Sequence, residues 1–114
     1  MNPIYLDNAA TTQIRDEVIS KMSEVLKSNY GNASSTHAFG RSSKSIIESC
    51  RKRIAAHINA LPSEIIFTSG GTEADNLALR SSVKDLKVTH IITSKIEHHA
   101  VLYTVEQLVL DFGI

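Results

Sequence analysis

Two short stretches combine residue types and spacing that could do chemistry, Ser69-Gly70-Gly71-Thr72-Glu73 and Glu97-His98-His99. In the first, Gly70 and Gly71 let a ligand approach the main chain closely. Thr72 is a helix-capping type, and Glu73 and Asp75 supply first-turn negative charge that suits a helix dipole. A helix starting there would put free N–H groups and a hydroxyl at its positive end, a ready site for phosphate. The same residues also serve as a plain strand-to-helix turn with no ligand. In the second stretch the two histidines invite a metal. Adjacent ligands on a tight turn rarely point at one ion, however, and other donors are distant in sequence, so no metal is expected. A dinucleotide site would require G-x-G-x-x-G, whose third glycine is missing, and a P-loop would require Gly-Lys-Ser/Thr, which is absent. What remains is a phosphate cradle beside a histidine able to stack on a flat ring or exchange protons with it.

The surrounding pattern says how these stretches are positioned. Ile65 to Thr68 is an apolar, β-branched run that suits a strand buried on both faces, and Val88 with His90-Ile91-Ile92-Thr93 reads as a second strand. A helix is expected from about Thr72 to Val83, packing through Ala74, Leu77, Ala78 and Val83. Another follows His99, with Val101, Val105, Leu108 and Phe112 on one face and a stop at Gly113. Strand, helix, strand, helix predicts βαβ units, a mainly parallel sheet and an α/β fold class. Ligands in such folds sit beyond the carboxyl ends of the strands, where both polar stretches fall. Upstream, Ile4-Tyr5-Leu6 reads as extended and Ala9-Ala10-Thr11-Thr12 as a connector. A helix is expected over Arg15–Lys27, with Ile14, Val18, Met22 and Val25 on one stripe, and a polar loop over Ser28–His37. A second helix, about Gly40–Asn59, buries Ile46, Ile47, Cys50, Ile54 and Ile58 and is stopped by Pro62. The organisation expected is an N-terminal extended segment, 1–14, and one domain, 15–114.

Composition narrows the functional classes. The chain has 114 residues, twelve basic and twelve acidic, with zero formal charge, which argues against a nucleic-acid or anionic-membrane surface. Cys50 is the only cysteine, so no internal disulfide forms and a reducing compartment fits. No signal-peptide pattern or apolar run of transmembrane length occurs, and the expected location is cytoplasmic. On its apolar stripe Cys50 reads as a small core residue rather than a nucleophile.

A phosphate cradle beside a stacking histidine fits a pyridoxal phosphate site. Tyr5-Leu6-Asp7-Asn8-Ala9-Ala10-Thr11-Thr12, Gly31-Asn32-Ala33-Ser34-Ser35-Thr36-His37, Phe67 through Asn76, and Ile91 through Val101 occur in that order. Together they resemble the successive motifs of cysteine desulfurases, class V members of the fold-type I, aminotransferase-like pyridoxal phosphate enzymes. The resemblance covers the whole chain. It implies the N-terminal part of the large cofactor-binding domain of such an enzyme, with pyridoxal 5'-phosphate as cofactor. Gly71 and Thr72 would bind its phosphate; His98 would lie over the pyridine ring and transfer protons; no role falls to His99. Asn8–Thr12 and Gly31–His37 would shape the mouth of the site. The implied activity removes sulfur from L-cysteine as an enzyme persulfide, leaves L-alanine, and supplies sulfur for iron–sulfur cluster assembly and tRNA thiolation. The implied partners are a second subunit in a homodimer and an iron–sulfur scaffold or other sulfur acceptor, with no direct nucleic acid and no membrane. In the resembled family the cofactor-bearing lysine directly follows a histidine, and no His-Lys pair occurs here. The acid facing the pyridine nitrogen, the sulfur-accepting cysteine and the substrate-binding arginine also fall beyond residue 114 in that family. The expectation is a fragment that is inactive alone. Two alternatives stand beside it: a non-catalytic remnant or interaction fragment, and a related class V lyase such as selenocysteine lyase.

Overall fold

The computed structural model describes residues 3–114. Among them are four helices, α1 (Asp16–Ser28), α2 (Ala38–His57), α3 (Gly71–Lys84) and α4 (His99–Phe112), and a 3₁₀ turn at Pro62–Glu64. The chain divides into two compact units, one ending at Ile65 and the other beginning at Ile66.

In the first unit, residues 1 and 2 of the expected extended segment lie outside the described residues, and 3–14 carry no helix or strand. Ala10 N and Thr11 N both donate to Asp7 O, closing a turn, and the Tyr5 hydroxyl lies 2.6 Å from Thr11 Oγ1. Then α1 begins with Asp16 and Glu17 and ends near Lys27, charges that complement its dipole. The polar loop after it is pinned to the start of α2. Ser42 Oγ donates to Asn29 Oδ1 at 3.0 Å, Ser43 Oγ donates to Asn29 O at 3.4 Å, and Arg41 donates to Thr36 O. His37 caps α2 by accepting from Gly40 N at Nδ1, 3.3 Å away. Asn59 ends α2: it takes a left-handed φ of 54°, and Ala60 N reaches back to Ala55 O at 2.9 Å. Pro62, expected as the stop, instead opens the 3₁₀ turn, which packs against α2 beside an Arg51 bond to Ile65 O. The expected buried stripe of α2 is corrected. Its buried residues are Gly40, Ser43 and Ala55, whereas Ile47, Cys50, Ile54 and Ile58 are exposed. On α1, likewise, Val18, Ile19, Met22 and Leu26 are exposed.

In the second unit α3 packs on α4. The covered face of α3 holds Asn76, Leu79, Arg80 and Val83, at i, i+3, i+4 and i+7, while Ala74, Leu77 and Ala78 on the opposite face stay exposed. On α4 the buried residues are Ala100, Thr104 and Leu108, one stripe at i, i+4 and i+8. Of the residues expected to pack, Val83 and Leu108 are buried and Val101 and Val105 half-buried, while Ala74, Leu77, Ala78 and Phe112 are exposed. Gly113, at φ 66°, ends α4 as expected, its N–H donating to Val109 O. No strand is assigned among the described residues, so these residues do not display the expected parallel sheet. Ile65 is extended, at φ −92° and ψ 119°. But Ile66, Phe67 and Ile92 are exposed, and no neighbouring strand pairs with either segment. A strand meant to be buried on both faces forms only when partners supply its ladder and cover.

Candidate active site

The helix expected after the glycine turn begins as required for an anion site. Gly70 is the N-cap in extended backbone, and the first helical bond runs from Ala74 N to Gly70 O at 3.1 Å. The N–H groups of Gly71, Thr72 and Glu73 precede that bond and point out of the helix start. Nothing lies within 4 Å of where a Cβ would stand on Gly70 or Gly71. The turn itself thus has room for side chains, and what the glycines keep open is the approach to those N–H groups. Thr72 lies within the helix, so the cap falls to Gly70 and the Thr72 hydroxyl is not consumed in capping. Glu73 turns back instead: its Oε2 accepts from Ser69 N at 2.6 Å and from Ser69 Oγ at 2.7 Å. The Ser69 backbone bond first, and then its hydroxyl bond, hold the Glu73 carboxyl below its ordinary value.

His98 caps α4, its Nδ1 accepting from Ala100 N at 3.1 Å. An accepting Nδ1 leaves the proton of the neutral ring on Nε2. His99 is taken up by Tyr103, ring on ring, with centroids 5.0 Å apart and planes within 3°. Thr72 and His98 line one open groove of about 480 Å³ in the second unit. The structure thus brings together residues that stand 26 positions apart in sequence, 98 less 72. Gly71, next to Thr72, opens the helix at its edge. Among the described residues no group of three His, Cys, Asp or Glu side chains gathers as a metal site.

The groove also holds residues that the motif reading passed over. Asn76 Nδ2 donates to Thr72 O at 2.9 Å, and its Oδ1 accepts from Thr104 Oγ1 at 2.8 Å and from Arg80 Nε at 3.4 Å. A signal for this was present: Thr104 is a hydroxyl four residues before Leu108 on an apolar helix, which asks for a buried partner. Cys50 is elsewhere, in the first unit, exposed at an apolar groove with Met22, Leu26 and Ile46. The expectation of a core thiol is corrected; nothing in that groove other than Glu17 and Lys21 carries charge.

The profile of the Aminotransferase class-V family matches residues 4–114, so the chain belongs to that family. It is 54% identical over 101 residues to a cysteine desulfurase IscS of Dictyoglomus turgidum, covering 87% of this chain and 26% of the relative. It is 49% identical over 109 residues to a cysteine desulfurase IscS of Neisseria gonorrhoeae, covering 93% of this chain and 27% of the relative. A solved structure described as a NifS-like protein superposes with a TM-score of 0.83 at 36% identity, over 92% of this chain and 29% of that one. The chain spans less than a third of the length of the curated relatives it matches.

Proposed function

We propose that this chain is the N-terminal portion of a pyridoxal-phosphate-dependent cysteine desulfurase, with 15–114 as the first part of the large domain and 1–14 as an extended lead-in. The observation that carries the reading is the shared groove of Thr72 and His98, each at the start of a helix. The residues fit the cofactor. An open helix N-terminus with an uncommitted hydroxyl suits a phosphate dianion, and a histidine ring lies on the same groove. Gly71 N–H and the Thr72 hydroxyl hold the phosphate, where first-turn N–H groups and the dipole both favour negative charge. His98 covers the ring and carries a transferable proton on Nε2, because Nδ1 is committed to Ala100 N. Bound pyridoxal phosphate supplies the electron sink for bond breaking at the substrate α-carbon. The lysine that carries the cofactor, the acid at the pyridine nitrogen and the cysteine that receives sulfur lie outside these residues, so the 114-residue chain alone does not turn over. The substrate is L-cysteine, the working unit a cytoplasmic homodimer, and the product sulfur passes to an acceptor protein.

The test uses the protein expressed from its whole gene, with pyridoxal phosphate absorbance and alanine release from L-cysteine as readouts. Thr72→Ala is expected to weaken cofactor binding by about 1–2 kcal/mol, one charge-assisted hydrogen bond. His98→Ala is expected to lower turnover while the cofactor stays bound. Alanine release from selenocysteine alone would favour the lyase, and no cofactor absorbance would leave an interaction fragment.

A further inference from the structure

We propose that Asn76 is a positioning residue that locks the first turn of α3 to α4 and so sets the phosphate-binding end of one helix against His98 at the start of the other. This rests on the reading of the groove as a pyridoxal phosphate site. Asparagine is a poor helix-interior residue, because its side chain competes for backbone groups. Here that competition is put to use. The Asn76 amide nitrogen holds Thr72 O at 2.9 Å, and its oxygen takes the Thr104 hydroxyl at 2.8 Å. Arg80 Nε, at 3.4 Å, fixes the orientation of the carboxamide, since a guanidinium only donates and so faces the oxygen. Thr104 is only 4% exposed, six residues after His98 on α4. Its hydroxyl is thus a buried donor whose acceptor lies on the neighbouring helix. One side chain therefore ties the main chain of Thr72 to the helix that begins at His98.

The two halves of the bridge separate by substitution. Asn76→Asp keeps an acceptor for Thr104 and Arg80 but cannot donate to Thr72 O. Thr104→Val removes the donor on α4, and Thr104→Ser restores it. The experiment titrates pyridoxal phosphate into the apo form of the protein expressed from its whole gene, and follows thermal unfolding of the same apo samples. Asn76→Asp and Thr104→Val are each expected to weaken cofactor binding by about tenfold, as for residues coupled through one network. Asn76→Asp should do so with little change in melting temperature, and Thr104→Ser should return affinity to within about twofold of the parent. The double variant should bind no more weakly than the weaker single. A purely structural role would instead lower the melting temperature and leave the affinity of folded protein unchanged; that result overturns the proposal, as do additive losses in the double variant. If Thr72→Ala weakens the cofactor and Asn76→Asp does not, positioning is overturned while the cofactor site stands. If the parent protein binds no pyridoxal phosphate, both are overturned.

Discussion

Gly40 offers the sharpest test of the packing that shapes the loop before α2. A Cβ built there would stand 2.3 Å from Ser35 O, 2.6 Å from Asn32 O and 2.8 Å from Ser35 Cβ. Two of these are backbone atoms, so no flexible side chain can swing away. An ordinary contact begins near 3.4 Å, so the loop must retreat by about 1 Å, the shortfall from 2.3 Å. Retreat strains the bonds that pin the loop, from Ser42 and Ser43 to Asn29 and from Gly40 N to His37. Overpacking of this kind costs about 1–3 kcal/mol, and a weakened hydrogen bond adds about 1 kcal/mol. Alanine returns about 0.5–1 kcal/mol through its better helix propensity. The expected net loss for Gly40→Ala is about 2 kcal/mol, roughly a thirtyfold fall in the folding equilibrium. Gly71→Ala is the control: nothing within 4 Å meets its Cβ, so stability should hold or rise slightly. Urea unfolding followed by circular dichroism measures both, with an unchanged slope required for the comparison. Gly40→Ala as stable as the parent would refute the close approach of the 32–35 backbone to α2.

Glu73 gives a pH prediction whose sign follows from its bonds. Its carboxyl is held below the ordinary 4.5, so its contribution is fully present above that pH and is lost as pH falls through the lower native value. An NMR titration of Glu73 should show a midpoint below 4.5 that moves up in Ser69→Ala; an ordinary midpoint in the parent would contradict the bond to Ser69. Cys50 is exposed, so one thiol of the native 114-residue chain should react with a disulfide reagent without denaturant, and Cys50→Ser should change stability by less than about 0.5 kcal/mol. A protected thiol would restore the core assignment that the structure removes.

Helix positions were legible in the sequence because spacing and punctuation agreed. The expected spans 15–27 and 72–83 differ from α1 and α3 by a single residue at each end. Ends were harder where two stop signals competed: Asn59 took the left-handed turn before Pro62 could act, since it lies closer to the end of the helical pattern. The groove taken as the candidate site was half legible. Thr72, Gly71 and His98 stand out by type beside a glycine turn or a histidine pair. Asn76, Arg80 and Thr104 do not, because their significance is relational: a carboxamide, a guanidinium and a hydroxyl matter here only through the packing of α3 on α4. A tertiary contact between residues 28 positions apart leaves no local trace.

The exposed apolar stripes share one physical cause with the absence of strands among the described residues. On α3, Leu79 is half-buried and Val83 buried, while Leu77 is 42% exposed. Apolar periodicity detects both faces and cannot tell which neighbour covers which. The same holds for Ile47 and Ile54 on α2, for Val18 and Met22 on α1, and for Ile66 and Ile92 in the unpaired segments. Scattered exposed apolar residues are normal, but members of two helix stripes and of two β-branched runs left open together make a sizeable apolar surface. A buried parallel strand needs a ladder on both edges and helices on both faces, and no ladder is assigned among residues 3–114. What the chain does complete on its own is the α3–α4 pair. Its contact carries a part-buried polar bridge next to the groove, so this part of the candidate site rests on the packing of α3 on α4.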